Sequence, residues 1–266
     1  MPVIYAKDSS TISFSDNGSG VPILFLHGWM MSKRVWHYQQ QLASKFRVVT
    51  MDLRGHGRSQ ADEFSYSSCL SDIKELLVYL DIERIFIAGW SMGSQLAMIT
   101  AIELEERVSG LVLIAGTPRF SNSGDYSCGL PEDEARGMKI RMKRDYKETS
   151  GQFFRNMFSE QEVAVADLKT IAANTVSILP SLSITLSALK VLAECDLVDL
   201  LPEINCPVLL VHGCLDTICP AKASVFMQSQ LQHSTLVCFE NAGHAPFLTD
   251  PERFNHAVGC FLEECR

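Results

Sequence analysis

Short, nearly continuous apolar runs recur along the chain at residues 22–26, 46–51, 84–88, 110–115, 207–211 and 235–239. Runs of this length without alternation predict strands buried on both faces, and so a mostly parallel sheet. The segments between them carry helical spacing. Within 66–80, Leu70, Ile73, Leu76, Leu77 and Leu80 fall on one face, and 92–107 and 221–231 also predict helices. Alternating strands and helices make a wound α/β sheet. Ahead of the first run, the alternation over 11–15 and the turn residues Asp16-Asn17-Gly18 predict a strand and turn that begin an N-terminal hairpin.

The pattern breaks from 118 to 195. Residues 120–131 are rich in Ser, Asn, Gly and Pro, as loops are, and 132–195 predicts several helices interrupted at Pro180. Strand character resumes at Cys206-Pro207. The expected organisation is one domain, with an α/β core from 1–117 and 196–266 and a helical lid inserted at 118–195. The chain contains no internal repeat and no low-complexity tract.

The most informative stretch lies where the third buried run ends. Gly89-Trp90-Ser91-Met92-Gly93 is a G-x-S-x-G motif between an apolar strand and a helix-compatible segment. That setting predicts a sharp strand-to-helix turn that projects the Ser91 hydroxyl, with glycines where the backbone passes too close for a side chain. The new helix would aim free N–H groups at the site. A serine needs a base, and His244, in Asn241-Ala242-Gly243-His244, follows the last predicted strand. The base needs an orienting acid, and Asp216 sits in the loop after the strand ending near Val211. Asp196 and Asp199 are the alternatives, but they lie before a strand in a helical stretch. The chain order Ser91, Asp216, His244 is the order this fold uses. After the first buried strand, His27-Gly28-Trp29 can place a backbone N–H opposite that of Met92, so Trp29 and Met92 are the expected oxyanion-hole donors. His27 reads as a loop-shaping residue. Asp52-Leu53-Arg54-Gly55-His56-Gly57-Arg58 lacks the phosphate-loop arrangement and reads as a structural turn with salt-bridged Asp and Arg.

Composition narrows the picture. With 266 residues and 47% hydrophobic content, the chain can bury one sizeable core, and 20% charged residues match a soluble globular protein. A formal charge of −8 argues against general nucleic-acid binding. The opening MPVIYAKDSS has no basic stretch leading into an apolar one, and no apolar run is long enough to span a bilayer, so a cytoplasmic location is expected. Nine cysteines form no CxxC pair. Cys206, Cys214 and Cys219 surround His212, but their spacing matches no zinc pattern, and they read as small thiols in a reducing compartment.

Together these motifs resemble the α/β-hydrolase superfamily over nearly the whole chain. Within it, the pairing of His27-Gly28-Trp29 with Gly89-Trp90-Ser91-Met92-Gly93 is similar to the pimeloyl-[acyl-carrier protein] methyl ester esterases of biotin synthesis. The resemblance implies an α/β-hydrolase fold and a serine carboxylesterase with Ser91, Asp216 and His244 as catalytic residues. It also implies that Trp29 and Met92 contribute to the oxyanion hole and pocket, and that lid residues near Phe153, Phe154, Arg155, Asn156 and Met157 line the acyl chain. No metal or organic cofactor is implied. Ser94 departs from the family, which usually has a second glycine there. Residues 136–155 hold seven basic side chains against Asp145 and Glu148. Through Arg141, Lys143, Arg144, Lys147 and Arg155, a basic lid of this kind would steer an acidic acyl-carrier protein. A solvated helix face is the plainer account of the same charges. A monomer is expected. The rival readings are a general carboxylesterase, a lactonase, a carbon–carbon bond hydrolase or a cofactor-free perhydrolase of the same fold. From a different class comes a non-catalytic small-molecule receptor that has kept the triad.

Overall fold

The computed structural model describes residues 2–160, 162–175 and 178–265. Eight strands form one sheet in the order β1-β2-β4-β3-β5-β6-β7-β8. β1 (Val3–Tyr5) and β2 (Thr11–Asn17) form a hairpin that turns at residues 6–10, ahead of the expected turn at 16–18, where β2 continues to Asn17 and pairs antiparallel with β4 (Arg47–Met51). β3 (Pro22–Leu26), β4, β5 (Ile85–Trp90), β6 (Val108–Ile114), β7 (Val208–Gly213) and β8 (Ser234–Phe239) are mutually parallel. Every residue of β5 and β7 is buried, which is why these strands read as unbroken apolar runs. Strand ends differ from the sequence expectation by at most two residues: β5 continues to Trp90, and β6 already begins at Val108.

α1 (Tyr66–Tyr79) is capped by Ser65, whose side chain accepts from the Ser68 N–H, and it buries Leu70, Ile73, Leu76 and Leu77 as the spacing requires. α2 (Met92–Glu103) follows β5 directly. Between β6 and β7 come α3 (Glu134–Arg144), α4 (Tyr146–Arg155), α5 (Val165–Thr175) and α6 (Leu182–Glu194) and, among the described residues, no strand of the sheet. Pro180 lies in the break between α5 and α6, and α3 packs against α4 and α6. α7 (Lys222–Gln230) joins β7 to β8, and α8 (Pro246–Thr249) and α9 (Pro251–Glu264) close the chain. Asp250 caps α9 with Pro251 in its first turn, a readable start signal. Among the described residues, no helix is long and apolar enough to cross a membrane.

The sheet order explains where a site can form. The chain passes from β3 outward to β4, then returns to place β5 on the other side of β3. Ligand crevices open at such a reversal, beyond the carboxyl ends of the strands. The 27–29 loop leaves β3 there, and Ser91 leaves β5. Leu26 is the register partner of Gly89, so the two loops start side by side. Because β7 and β8 are parallel to these strands, Asp216 and His244 emerge at the same edge.

The turn at 52–58 is salt-bridged, but not within itself. Asp52 pairs with buried Lys33 at 3.1 Å, and Arg54 pairs with Asp72 at 2.7 Å and with Asp8 at 2.9 Å. Asp72 comes from α1, Lys33 from the short helical turn at 33–36 and Asp8 from the turn between β1 and β2, all beyond the reach of local spacing.

Candidate active site

Ser91 has φ +56° and ψ −116° and is the residue that precedes α2. A non-glycine residue in this region is strained, and here the packing around the turn holds it. A Cβ on Gly89 would run into the Gly93 carbonyl, and one on Gly93 would run into the carbonyls of Leu26 and His27. Both motif glycines are therefore demanded by close backbone approach. The family departure at Ser94 is accommodated from the far side. Its hydroxyl donates to the Ser91 carbonyl at 2.6 Å, and the space it fills is left by Gly116, where a Cβ would clash with it.

His244 is brought beside the turn by backbone contacts. Its N–H donates to the Met157 carbonyl at 2.7 Å, and its own carbonyl accepts from the Trp90 indole N–H at 2.8 Å. Nδ1 of the ring lies 2.7 Å from Asp216 Oδ2, so Nδ1 carries the hydrogen that the carboxylate accepts. Nε2 is buried with no hydrogen-bond partner. Cys219, close to the Ser91 hydroxyl, has a thiol that burial pushes well above its usual range. Asp216 Oδ1 accepts from the N–H groups of Ile218 and Cys219 at 2.8 and 2.9 Å. Burial works to raise the Asp216 carboxyl; the neighbouring His244 and His212 overcome it and hold the acid below the ordinary carboxylate range.

His27 shapes its loop. Its Nδ1 donates to the Gly28 carbonyl at 2.8 Å, and its Nε2 accepts from the Leu53 N–H at 3.0 Å. A Cβ on Gly28 would stand 3.3 Å from the Ser91 Cβ, so the loop passes directly over the serine. Met92 opens α2, and its amide is one of those a helix leaves unpaired at its N-terminus. Trp29 closes the other side: its indole N–H donates to the Thr185 carbonyl on α6 at 2.9 Å, and its ring meets Phe153 edge-on at 4.9 Å.

A cavity of about 590 Å³ opens over Ser91 and Trp29. Its walls combine apolar Phe120, Leu130, Phe153, Leu189, Leu192 and Ile218 with a charged mouth that includes Glu134, Arg141, Arg144 and Glu148. Of the acyl-chain residues expected on α4 and just after it, Phe153 and Asn156 line this space. Phe154 instead packs on Phe158, Arg155 pairs with Glu148 at 3.0 Å, and Met157 is buried with its carbonyl on the His244 loop. Apolar positions near 120, 130 and 189–192 carry no motif, so the sequence alone does not mark them as cavity wall. The basic stretch is partly neutralised by residues just upstream, since Arg141 pairs with Glu134 at 2.7 Å. Lys143, Arg144 and Lys147 are exposed.

The chain is similar to known proteins named as esterases. The alpha/beta hydrolase family profile matches residues 23–257. The chain is 34% identical over 258 residues to a pimeloyl-[acyl-carrier protein] methyl ester esterase of Nitrosomonas europaea, covering 95% of this chain and 98% of that protein. An esterase from Exiguobacterium antarcticum superposes with a TM-score of 0.92 at 28% identity, covering 98% of each chain. A bromoperoxidase from Bacillus anthracis superposes with a TM-score of 0.89 at 24% identity over 98% of this chain and 100% of that one, a likeness of fold.

Proposed function

The chain belongs to the alpha/beta hydrolase family, and we propose that it is a serine carboxylesterase working by two-step acyl transfer on a carrier-linked methyl ester. One arrangement carries this reading. A serine on a strained turn at a helix N-terminus stands beside a histidine with its Nδ1–H on a buried carboxylate and its Nε2 free. In the first step the ester enters and the Ser91 hydroxyl turns to His244. Nε2 takes the proton as Oγ attacks the carbonyl carbon. The Trp29 and Met92 amides hold the negative charge on the carbonyl oxygen, and Asp216 stabilises the imidazolium. His244 then gives its proton to the departing alcohol, and the acyl group remains on Ser91. In the second step His244 deprotonates a water, which attacks the acyl-enzyme and releases the acid.

The relative from Nitrosomonas europaea supports the substrate, the methyl ester of a pimeloyl chain on an acyl-carrier protein. The alcohol released is then methanol. An apolar cavity of about 590 Å³ suits a short acyl chain. Segment 118–195 acts as the lid, and exposed Lys143, Arg144 and Lys147 on its α3–α4 corner offer an acidic carrier its docking charge. Arg141 and Arg155, each already paired with a glutamate, contribute less. The enzyme acts in the cytoplasm as a monomer.

The test is hydrolysis of the pimeloyl-carrier methyl ester alongside a panel of p-nitrophenyl esters, with fluorophosphonate labelling of Ser91. Labelling that disappears in Ser91→Ala together with turnover is expected. Full turnover in Ser91→Ala would overturn the mechanism, and labelling without any ester turnover would favour a binding protein of this fold.

A further inference from the structure

Asp216 serves two histidines. On one side of Oδ2 is His244; on the other is His212, whose Nε2 lies 3.2 Å from the same oxygen. His212 is fully buried, at the end of β7. The loop after β7 folds back through the Asp216 N–H to the Gly213 carbonyl and the Cys214 N–H to the Phe239 carbonyl, which lays residue 216 over residue 212. Gly213 makes the approach possible, because a Cβ there would run into the carbonyls of Ala242 and Gly243 in the His244 loop.

The protonation pattern of His212 follows from its neighbours. Nε2 is 2.7 Å from the Cys219 carbonyl as well as 3.2 Å from the Asp216 carboxylate. Both are acceptors, so Nε2 carries a hydrogen; it bonds to the Cys219 carbonyl, and the same N–H edge of the ring faces the Asp216 carboxylate at ion-pair distance. Nδ1 is 2.6 Å from the hydroxyl of Ser224, a buried residue of α7, which fixes the ring from behind. The Nε2–H therefore holds the far end of the loop that bears the acid and turns its positive edge to the acid itself. We propose that His212 is a positioning residue for the reaction, locking the Asp216 carboxylate in the plane that it presents to His244. This rests on the reading of Ser91, Asp216 and His244 given above.

The physical reason lies in the bonds of the carboxylate. The two backbone N–H groups on Oδ1 anchor one oxygen only. Without the His212 ring edge beside Oδ2, the carboxylate is free to rock about the Oδ1 anchor, and the ring of His244 moves with it. Asp216 needs a fixed plane because Nε2 of His244 must meet the Ser91 hydroxyl from the opposite side of the ring. A metal-ligand reading of His212 among Cys206, Cys214 and Cys219 has no support in its contacts, since both ring nitrogens are already committed to Ser224, Cys219 and Asp216.

Two amide replacements separate positioning from packing. In His212→Gln the side-chain amide reaches the place of Nε2 and can still donate to Asp216. In His212→Asn it reaches only the place of Nδ1, next to Ser224. On a p-nitrophenyl ester, kcat of His212→Asn is expected to fall by about 10- to 100-fold with KM little changed, and His212→Gln to recover most of the loss. The low-field proton NMR signal of the His244 Nδ1–H should shift or broaden in His212→Asn and return in His212→Gln. If His212→Asn does not fold, His212→Phe, which fills the ring space without a donor, takes its place in the comparison. Undiminished kcat in the donorless variant, or equal losses in both variants with the proton signal unmoved, would overturn the proposal. Ser91→Ala and His244→Ala are run in parallel. Turnover surviving in them sinks the triad reading itself, whereas dead triad variants beside an unaffected His212→Asn sink only the role of His212.

Discussion

Asp216 Oδ2 stands 2.7 Å from His244 Nδ1, while Nε2 of the same ring is buried without a partner. The carboxylate thus fixes the tautomer that leaves the Nε2 lone pair unshared. In Asp216→Asn the amide can present its N–H to Nδ1 and favour the opposite tautomer. Its kcat is expected to fall by roughly 10³- to 10⁴-fold, the scale of a lost orienting acid in serine hydrolases. Steady-state turnover and the rate of fluorophosphonate labelling should fall together.

Trp29 ties the 27–29 loop to α6 through the Thr185 carbonyl and to α4 through Phe153. Trp29→Ala should cost about 3–5 kcal/mol of stability, as deletion of a large buried aromatic does. It should also raise KM for short acyl esters more than for bulky ones, because the cavity loses a wall. Urea unfolding and a p-nitrophenyl ester series of increasing chain length measure the two effects.

The exposed corner of α3 and α4 separates docking from solvation. Reversing Lys143 and Lys147, which lie outside the cavity lining, to glutamate should lower kcat/KM on a carrier-linked ester by about 10-fold or more at low ionic strength. The difference should shrink as salt screens it. A small p-nitrophenyl ester should show no change. Equal rates on the carrier-linked ester would remove the docking idea and leave the esterase reading standing.

His56 is fully buried beside His27, with Nδ1 donating to the Arg54 carbonyl at 3.0 Å and Nε2 unpartnered. Burial pushes its pKa down to about 3, below the ordinary histidine value of 6.5. Between those values only the unfolded chain takes up the proton, so stability is full above about pH 6.5 and declines as pH falls toward 3. The slope from this one group approaches about 1.4 kcal/mol per pH unit. Chemical denaturation of the parent and His56→Gln at pH 7 and pH 5 should show a shallower loss in the variant.

Much of this molecule could be read from its order of residues. Continuous apolar runs mark strands buried on both faces, and the turn at Ser91 is legible because glycine, serine and glycine must fall at set offsets where β5 meets α2. Asp216 and His244 are legible because each follows a strand of the same parallel sheet. These are local signals, set by backbone sterics and by the burial of neighbouring residues. The rest depended on which segments the topology brings together. Arg54 finds Asp72 on α1, Ser94 fits because Gly116 yields the space, and Leu189 becomes cavity wall because α6 folds back over the serine. His212 looks like one more residue among cysteines until the loop after β7 lays Asp216 over it. Side-chain partners far apart in the chain leave no periodic trace, because their pairing is decided by the crossovers of the sheet and not by either residue's neighbours.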